Sequence, residues 1–156
     1  MRVVVILHNI RSVYNVGSIF RTADAAGIKK VILCGYTPTP LDRFRRLRSD
    51  FTKVSLGAEK TVVWEHCNTL ATAIKKLKQE NFLIIAIEQD KKAVPLFDFK
   101  VPKNKSVALI LGNEVRGISP TSLKHADVIL EIPMRGHKES LNVSVAAGIV
   151  LFTLLN

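Results

Sequence analysis

The sequence predicts an α/β fold: a mostly parallel sheet with helices on both faces. Three observations predict it. Runs such as "VVVIL" and "FLIIAI" are apolar throughout instead of alternating, which suits strands covered on both sides. These runs alternate with stretches whose apolar residues recur at helical spacing. The apolar fraction is 47% over 156 residues, enough for one core, so residues 1–156 are expected to form one domain.

Taken in order, Arg2–His8 reads as a buried strand. Asn15–Gly27 reads as a helix because Val16, Ile19, Phe20 and Ala23 share a face and Gly27 stops it. Lys30–Cys34 is a second strand. Gly35 to Lys60, with Pro38, Pro40 and many cations, reads as irregular. Thr61–His66 is a third strand, and Asn68–Asn81 is an amphipathic helix built on Leu70, Ile74 and Leu77. Phe82–Glu88, Ser106–Gly112 and Asp127–Ile132 are three more strands, the last two joined by a short helix at Pro120–His125. A helix from Val143 to Leu155 closes the chain, apolar nearly all round. Such a helix must be covered nearly all round, which predicts a homodimer packed through it, with Ala147 and Val150 on the partner's side.

Charge narrows the function. Lys and Arg number 23 against 13 Asp and Glu, a net charge of +10, which points to a polyanion such as nucleic acid. Cys34 and Cys67 have neither CxxC nor metal spacing and read as reduced thiols of a cytoplasmic protein. The apolar run after Arg2 is too short for a signal peptide, and no stretch is long enough for a membrane span. The first strand-to-helix turn, "HNIRSVYNVG", lacks GxGxxG. There is no phosphate-binding GxxxxGK[ST], no GxSxG elbow and no cluster with metal-ligand spacing, so no metal is expected.

Ligands of open parallel sheets bind beyond the carboxyl ends of the strands, and three polar inserts lie there. The first is Asn15-Val16-Gly17 and the helix carrying Arg21, whose neighbours Gly17 and Ala25 are small. A surface arginine paired with Asp24 is the competing reading. The second is "LGNEVRGIS", where Gly112 and Gly117 bracket Glu114 and Arg116 and permit tight turns and close approach of a ligand. The third is "IPMRGHKESLN", in which Ser140 or Asn142 can cap the last helix.

Together, "NVGSIFRTADAAG", "LILGNEVRGIS" and "IPMRGHKESLNVSVAAG" resemble, in order, the three motifs of SpoU/TrmH-type RNA 2′-O-methyltransferases of the SPOUT superfamily. "SLGAEK" is similar to a segment between the first two. The resemblance spans nearly the whole chain and is closest to minimal, catalytic-domain-only members. It implies a C-terminal trefoil knot that binds S-adenosylmethionine, walled by Ile87, Glu88, Gly112, Ile132, Met134, Ser140 and Leu141. It implies catalytic roles for Arg21, Asn15, Glu114, Ser140 and Asn142. Arg21 would bind the adjacent phosphate and stabilise charge on the ribose oxygen. Asn15 would hold Arg21 or the ribose, and Glu114 would orient Arg21 or another nearby cation. Ser140 and Asn142 would position the hydroxyl and the donor. It also implies a working dimer in which Arg21 serves its own or the partner's site.

Arg43, Arg45, Arg46, Arg48 and Lys53, interleaved with Phe44 and Phe51, are candidate RNA-binding residues; a solvated loop with two anchoring phenylalanines is the competing reading. The expected activity is transfer of a methyl group to a ribose 2′-hydroxyl, with transfer RNA favoured over ribosomal RNA. A non-catalytic RNA-binding module on this fold and a flavodoxin-like nucleotide-binding domain are the alternatives.

Overall fold

A computed structural model describes residues 1–155. The sheet contains β1 (Val3–His8), β2 (Lys30–Cys34), β3 (Val63–Cys67), β4 (Phe82–Ile87), β5 (Val94–Pro95), β6 (Ser106–Leu111) and β7 (Val128–Glu131). Its order is β3-β2-β1-β6-β4-β7-β5, and every neighbouring pair is parallel. The apolar runs therefore mean what their pattern suggests. β1, β6 and β4 are central, and Val5, Ile6, Leu109, Ile110, Ile84 and Ile85 are almost wholly buried on one face or the other.

The helices are α1 (Val13–Ala25), α2 (Ser49–Ser55), α3 (Ala58–Thr61), α4 (Leu70–Gln79), α5 (Pro120–Leu123) and α6 (Val143–Leu155). One face of the sheet is covered by α1 and α6 with Val16, Ile19, Phe20, Ala147 and Leu151. The other is covered by α4 through Leu70, Ala73, Ile74 and Leu77. Ser12 caps α1 by accepting from the Asn15 N–H, and Thr69 caps α4 by accepting from that of Thr72. Asp127 accepts the Ile84 N–H at 2.8 Å, just before the β4–β7 ladder begins at Ile85 and Val128.

Four expectations need correction. The segment from Gly35 to Lys60 is not irregular throughout, since α2 and α3 lie within it. Its periodicity is hidden because α2 buries only Phe51 and Ser55. Phe51 meets Phe20 edge to face at 5.1 Å, so it is a core residue, not a partner for bases. Thr61 belongs to α3 instead of β3, and the two-residue strand β5 is too short to show a pattern. Finally, α6 turns Ala147 and Val150 into the chain's own core; its outward face carries Val145 and Phe152, 51% and 47% exposed.

Cys34 and Cys67 face each other across β2 and β3 as free thiols. Burial first, and then the neighbouring Cys67, pushes the Cys34 thiol up to about 12, so it stays protonated. Among the described residues no helix is long and apolar enough to cross a membrane.

Candidate active site

The carboxyl ends of β4, β6 and β7 open onto a cleft of about 220 Å³. Every residue expected to hold the methyl donor lines it: Ile87, Glu88, Gly112, Ile132, Met134, Ser140 and Leu141. Three separate segments thus converge, one after each strand, as the position of ligand sites in parallel sheets requires.

Glycine makes the middle wall possible. The loop 112–117 folds back so that Asn113 and Gly117 form an isolated bridge. A Cβ on Gly112 would lie 2.7 Å from the Gly117 carbonyl carbon and oxygen and 2.6 Å from Ile118 Cγ1. Gly117 has φ +63°, and a Cβ there would lie 2.2 Å from Glu88 Oε2. The close approach these glycines permit is thus made by the protein's own backbone and by Glu88. The Glu88 carboxylate accepts from the N–H of Ile118 at 2.8 Å and of Gln89 at 3.0 Å, joining the first two walls.

The third wall differs. Among the described residues, none of Pro133 to Leu141 makes a hydrogen bond or ion pair within the protein. Its backbone donors and acceptors are left to water or a ligand, as a loop that reads a ligand with main-chain groups requires. Leu141 is 38% exposed and brings an apolar side chain to the cleft.

Behind the cleft lies a network. Asn15 is 6% exposed; its Nδ2 donates to Glu114 Oε1 at 3.2 Å and its Oδ1 accepts from Asn142 Nδ2 at 3.1 Å. Glu114 also accepts from the N–H groups of Arg11 and Ser12, both at 3.0 Å, at the start of α1. A carboxylate there completes the exposed amides and complements the helix dipole. Burial alone would raise the Glu114 carboxyl, but the hydrogen bonds from Arg11, Ser12, its own N–H and Asn15 together hold it below the usual carboxylate value.

Among the described residues, Glu114 bonds Asn15 and the start of α1 and makes no bond to Arg21. Asn15 is held by Glu114 and Asn142 and makes no bond to Arg21. Of the two candidate caps for α6, Asn142 takes the part, its Oδ1 accepting from the Ser144 N–H at 2.8 Å. Ser140 is freed to face the cleft.

Arg21 lies elsewhere in the same chain. It is exposed and lines a different depression with Asp24, Ser55 and Gly57. It does not pair with Asp24, whose Oδ1 instead accepts from Thr61 Oγ1 at 2.6 Å. In that depression Ser55 donates to Glu59, both buried.

The basic loop is also sorted by the structure. Arg46 is tied to Asp42 at 3.1 Å, and Arg48 to Asp50 at 3.0 Å. Arg43, Arg45 and Lys53 are exposed and have no ion pair among the described residues. Phe44 is 62% exposed, with the guanidinium carbons of Arg43 and Arg46 at 4.8 and 5.0 Å from its ring centre.

Sequence reasoning missed Asn113, which is 9% exposed. Its Oδ1 accepts from the N–H groups of Val115 and Arg116, and its Nδ2 donates to Asn9 O and Tyr36 Oη. An asparagine just after a glycine at a strand end is a turn signal that could have found it.

Residues 2–152 match the SpoU rRNA Methylase family. Over 146 residues the chain is 36% identical to the 23S rRNA (guanosine-2′-O-)-methyltransferase RlmB of Neisseria meningitidis, covering 94% of this chain and 55% of the relative. It is 35% identical over 147 residues to the RlmB of Escherichia coli, with 94% and 57% covered. The chain thus spans little more than half the length of these curated relatives. Among solved structures, an AdoMet-bound rRNA methyltransferase from Sinorhizobium meliloti superposes with a TM-score of 0.87 at 28% identity, over 97% of this chain and 55% of that one. A TrmH/SpoU tRNA modifying enzyme from A. aeolicus superposes at 0.83 with 29% identity, covering 98% and 73%.

Proposed function

The chain belongs to the SpoU rRNA Methylase family, and from that premise we propose that it transfers a methyl group from S-adenosylmethionine to a ribose 2′-hydroxyl of RNA. One observation carries the reading: loops from β4, β6 and β7 converge on a single cleft, one wall of which keeps its main-chain polar groups unengaged. The cleft fits the donor chemically. Ile87, Ile132, Met134 and Leu141 offer apolar surface to a flat base, and the segment 133–141 offers backbone donors and acceptors to its edge.

The donor supplies an electrophilic methyl group carried on sulfur. The protein's part is positioning. Asn15 and Asn142, locked together and backed by Glu114, fix the start of α1 and of α6 relative to the cleft. Ser140, on the lip, has its hydroxyl available to the ribose oxygen. Arg21 serves by stabilising negative charge on the ribose oxygen as that oxygen gives up its proton to solvent.

Arg21 does not line the cleft of its own chain, which favours its acting in the site of a twofold partner. The outward face of α6, with the exposed Val145 and Phe152 at helical spacing, supports that dimer. Light scattering should give twice the 17.3 kDa chain mass, and Val145→Glu should reduce it to one. Residues 1–156 act as one methyltransferase domain in this reading. The trefoil threading of its C-terminal segment belongs to the same proposal, supported by β7 lying between β4 and β5.

Relatives at 35–36% identity are named for 23S ribosomal RNA, so ribosomal RNA replaces transfer RNA as the favoured substrate. The test is transfer of labelled methyl to purified ribosomal and transfer RNA, with nucleosides identified by mass spectrometry. A 2′-O-methylnucleoside from 23S RNA is expected. Donor binding in calorimetry without transfer to either RNA would leave a non-catalytic module, and methylation of transfer RNA alone would reverse the substrate preference.

A further inference from the structure

Resting on the methyltransferase reading, we propose that Tyr36 is an RNA contact: its exposed ring carries an unpaired base beside the reacting nucleotide, and its hydroxyl ties that platform to the wall of the donor cleft.

The argument starts from the sheet. Tyr36 follows β2, Asn113 follows β6, and β1 lies between them. Yet Asn113 Nδ2 donates to Tyr36 Oη at 3.1 Å. The side chain therefore reaches across the carboxyl end of β1, where Asn9 ends the strand. Asn9 Oδ1 accepts the Tyr36 N–H at 3.2 Å, and Asn9 O accepts from Asn113 Nδ2 at 2.8 Å. Asn9, Tyr36 and Asn113 thus stitch three strand ends together.

Despite this anchoring the residue is 58% exposed. A flat ring held at both its backbone and its hydroxyl, with a face still open to solvent, is pre-organised to stack against a planar partner. Because Asn113 donates to the phenol oxygen, the Tyr36 proton remains to be given, and among the described residues no acceptor takes it. The backbone N–H of Arg116 donates to Asn113, and that of Arg11 to Glu114. Two exposed cations therefore spring from the same stitched edge. A flat ring, an unused hydroxyl donor and flanking guanidinium groups fit a single-stranded nucleotide: base on the ring, phosphate on the donors. A base within a duplex has both faces stacked already, so the partner is unpaired RNA.

The test compares Tyr36→Phe with Tyr36→Leu in the full chain, using a labelled 12-nucleotide single-stranded RNA and the same sequence annealed as a duplex. Fluorescence anisotropy should show that the wild type prefers the single strand. Tyr36→Phe keeps the ring and should keep that preference. With methylatable ribosomal RNA its kcat should fall roughly three- to tenfold with KM unchanged, the worth of one hydrogen bond to the cleft wall. Tyr36→Leu should weaken single-strand binding roughly tenfold, raise KM, and leave duplex binding and donor affinity as they were. A Leu variant that keeps the preference overturns the proposal. A Phe variant that loses it as fully as Leu also does so, since the bond and not the ring would then be what matters. A wild type that binds S-adenosylmethionine but shows no preference overturns the inference alone; one that binds neither donor nor RNA overturns the methyltransferase reading as well.

Discussion

Behind the cleft, Asn15 is hydrogen-bonded to both Glu114 and Asn142, and Gly112 and Gly117 let the cleft wall fold against itself. In the basic loop the reverse holds: Arg43 and Arg45 stand in solvent, and only Arg46 and Arg48 are tied to carboxylates. Both regions lie beyond the carboxyl ends of one sheet. The difference follows from what each is asked to do. Chemistry needs its groups fixed before the substrate arrives, because reorganisation at the moment of reaction raises the barrier. Polyanion capture needs charge density, which mobile side chains supply well.

The substitution that most sharply breaks this division is Arg21→Ala. Arg21 is an exposed cation, and by the comparison it should behave like the basic loop. As a catalytic group it should instead lower turnover roughly 10²- to 10⁴-fold, with donor affinity unchanged by calorimetry. Single-turnover methylation reads the difference, and an unimpaired variant returns Arg21 to the solvated surface.

Next in size is Gly112→Ala. The added Cβ meets backbone at 2.7 Å, and backbone cannot swing aside. A loss of roughly 1–3 kcal/mol is expected in urea unfolding, together with weaker donor binding. Gly136→Ala, in the unbonded wall where a Cβ meets nothing within 4 Å, should leave stability unchanged. Equal effects at both sites would erase the contrast between walls.

Within the basic loop, the free cations should count for more than the paired ones. Arg43→Gln with Arg45→Gln should reduce the salt slope of single-stranded RNA binding by about 1.4, at about 0.7 per lost phosphate contact. Arg46→Gln with Arg48→Gln should reduce it less, because Asp42 and Asp50 already compete for those guanidinium groups. Binding measured from low to moderate salt decides.

The smallest effect is acidic. Glu114 is held below its ordinary carboxyl value in the folded chain. Its stabilisation is therefore complete above the unfolded value of about 4.3 and is lost as pH falls through the folded one. Melting temperatures followed downward from about pH 5 should fall more steeply for the wild type than for Glu114→Gln. Parallel curves would mean that the carboxylate does not hold the network.

What could be read beforehand divides along similar lines. Strands buried on both faces announce themselves, so β1, β2, β4 and β6 were found within a residue or so of their ends. Gly112, Ile132, Met134, Ser140 and Leu141 stood out because they sit in motifs, and Ile87 and Glu88 because they follow a strand; all of them line the cleft. α2 was missed because its apolar contribution is little more than Phe51. That Asn15 and Glu114 bond each other while Arg21 stands apart was not legible, because adjacency in a motif is not adjacency in space: Arg21 follows Asn15 on α1, but Glu114 bonds to the helix start, nearly two turns away. Ala147 and Val150 were placed outward because a helix apolar on all sides does not say which side faces home.

The sheet order has a consequence for how the molecule comes into being. β1, made first, is flanked on one side by β6, pairing Val3 with Val107. β4 takes the other edge of β6, pairing Phe82 with Ser106. Until that late strand emerges during synthesis, β1 and β4 each present an apolar edge with nothing to bond. Distant pairings of this kind slow folding, and open edges invite other chains. A nascent chain arrested before Ser106 should therefore be aggregation-prone, whereas one extended past Leu111 has its sheet closed at the centre, with α5, β7 and α6 still to dock.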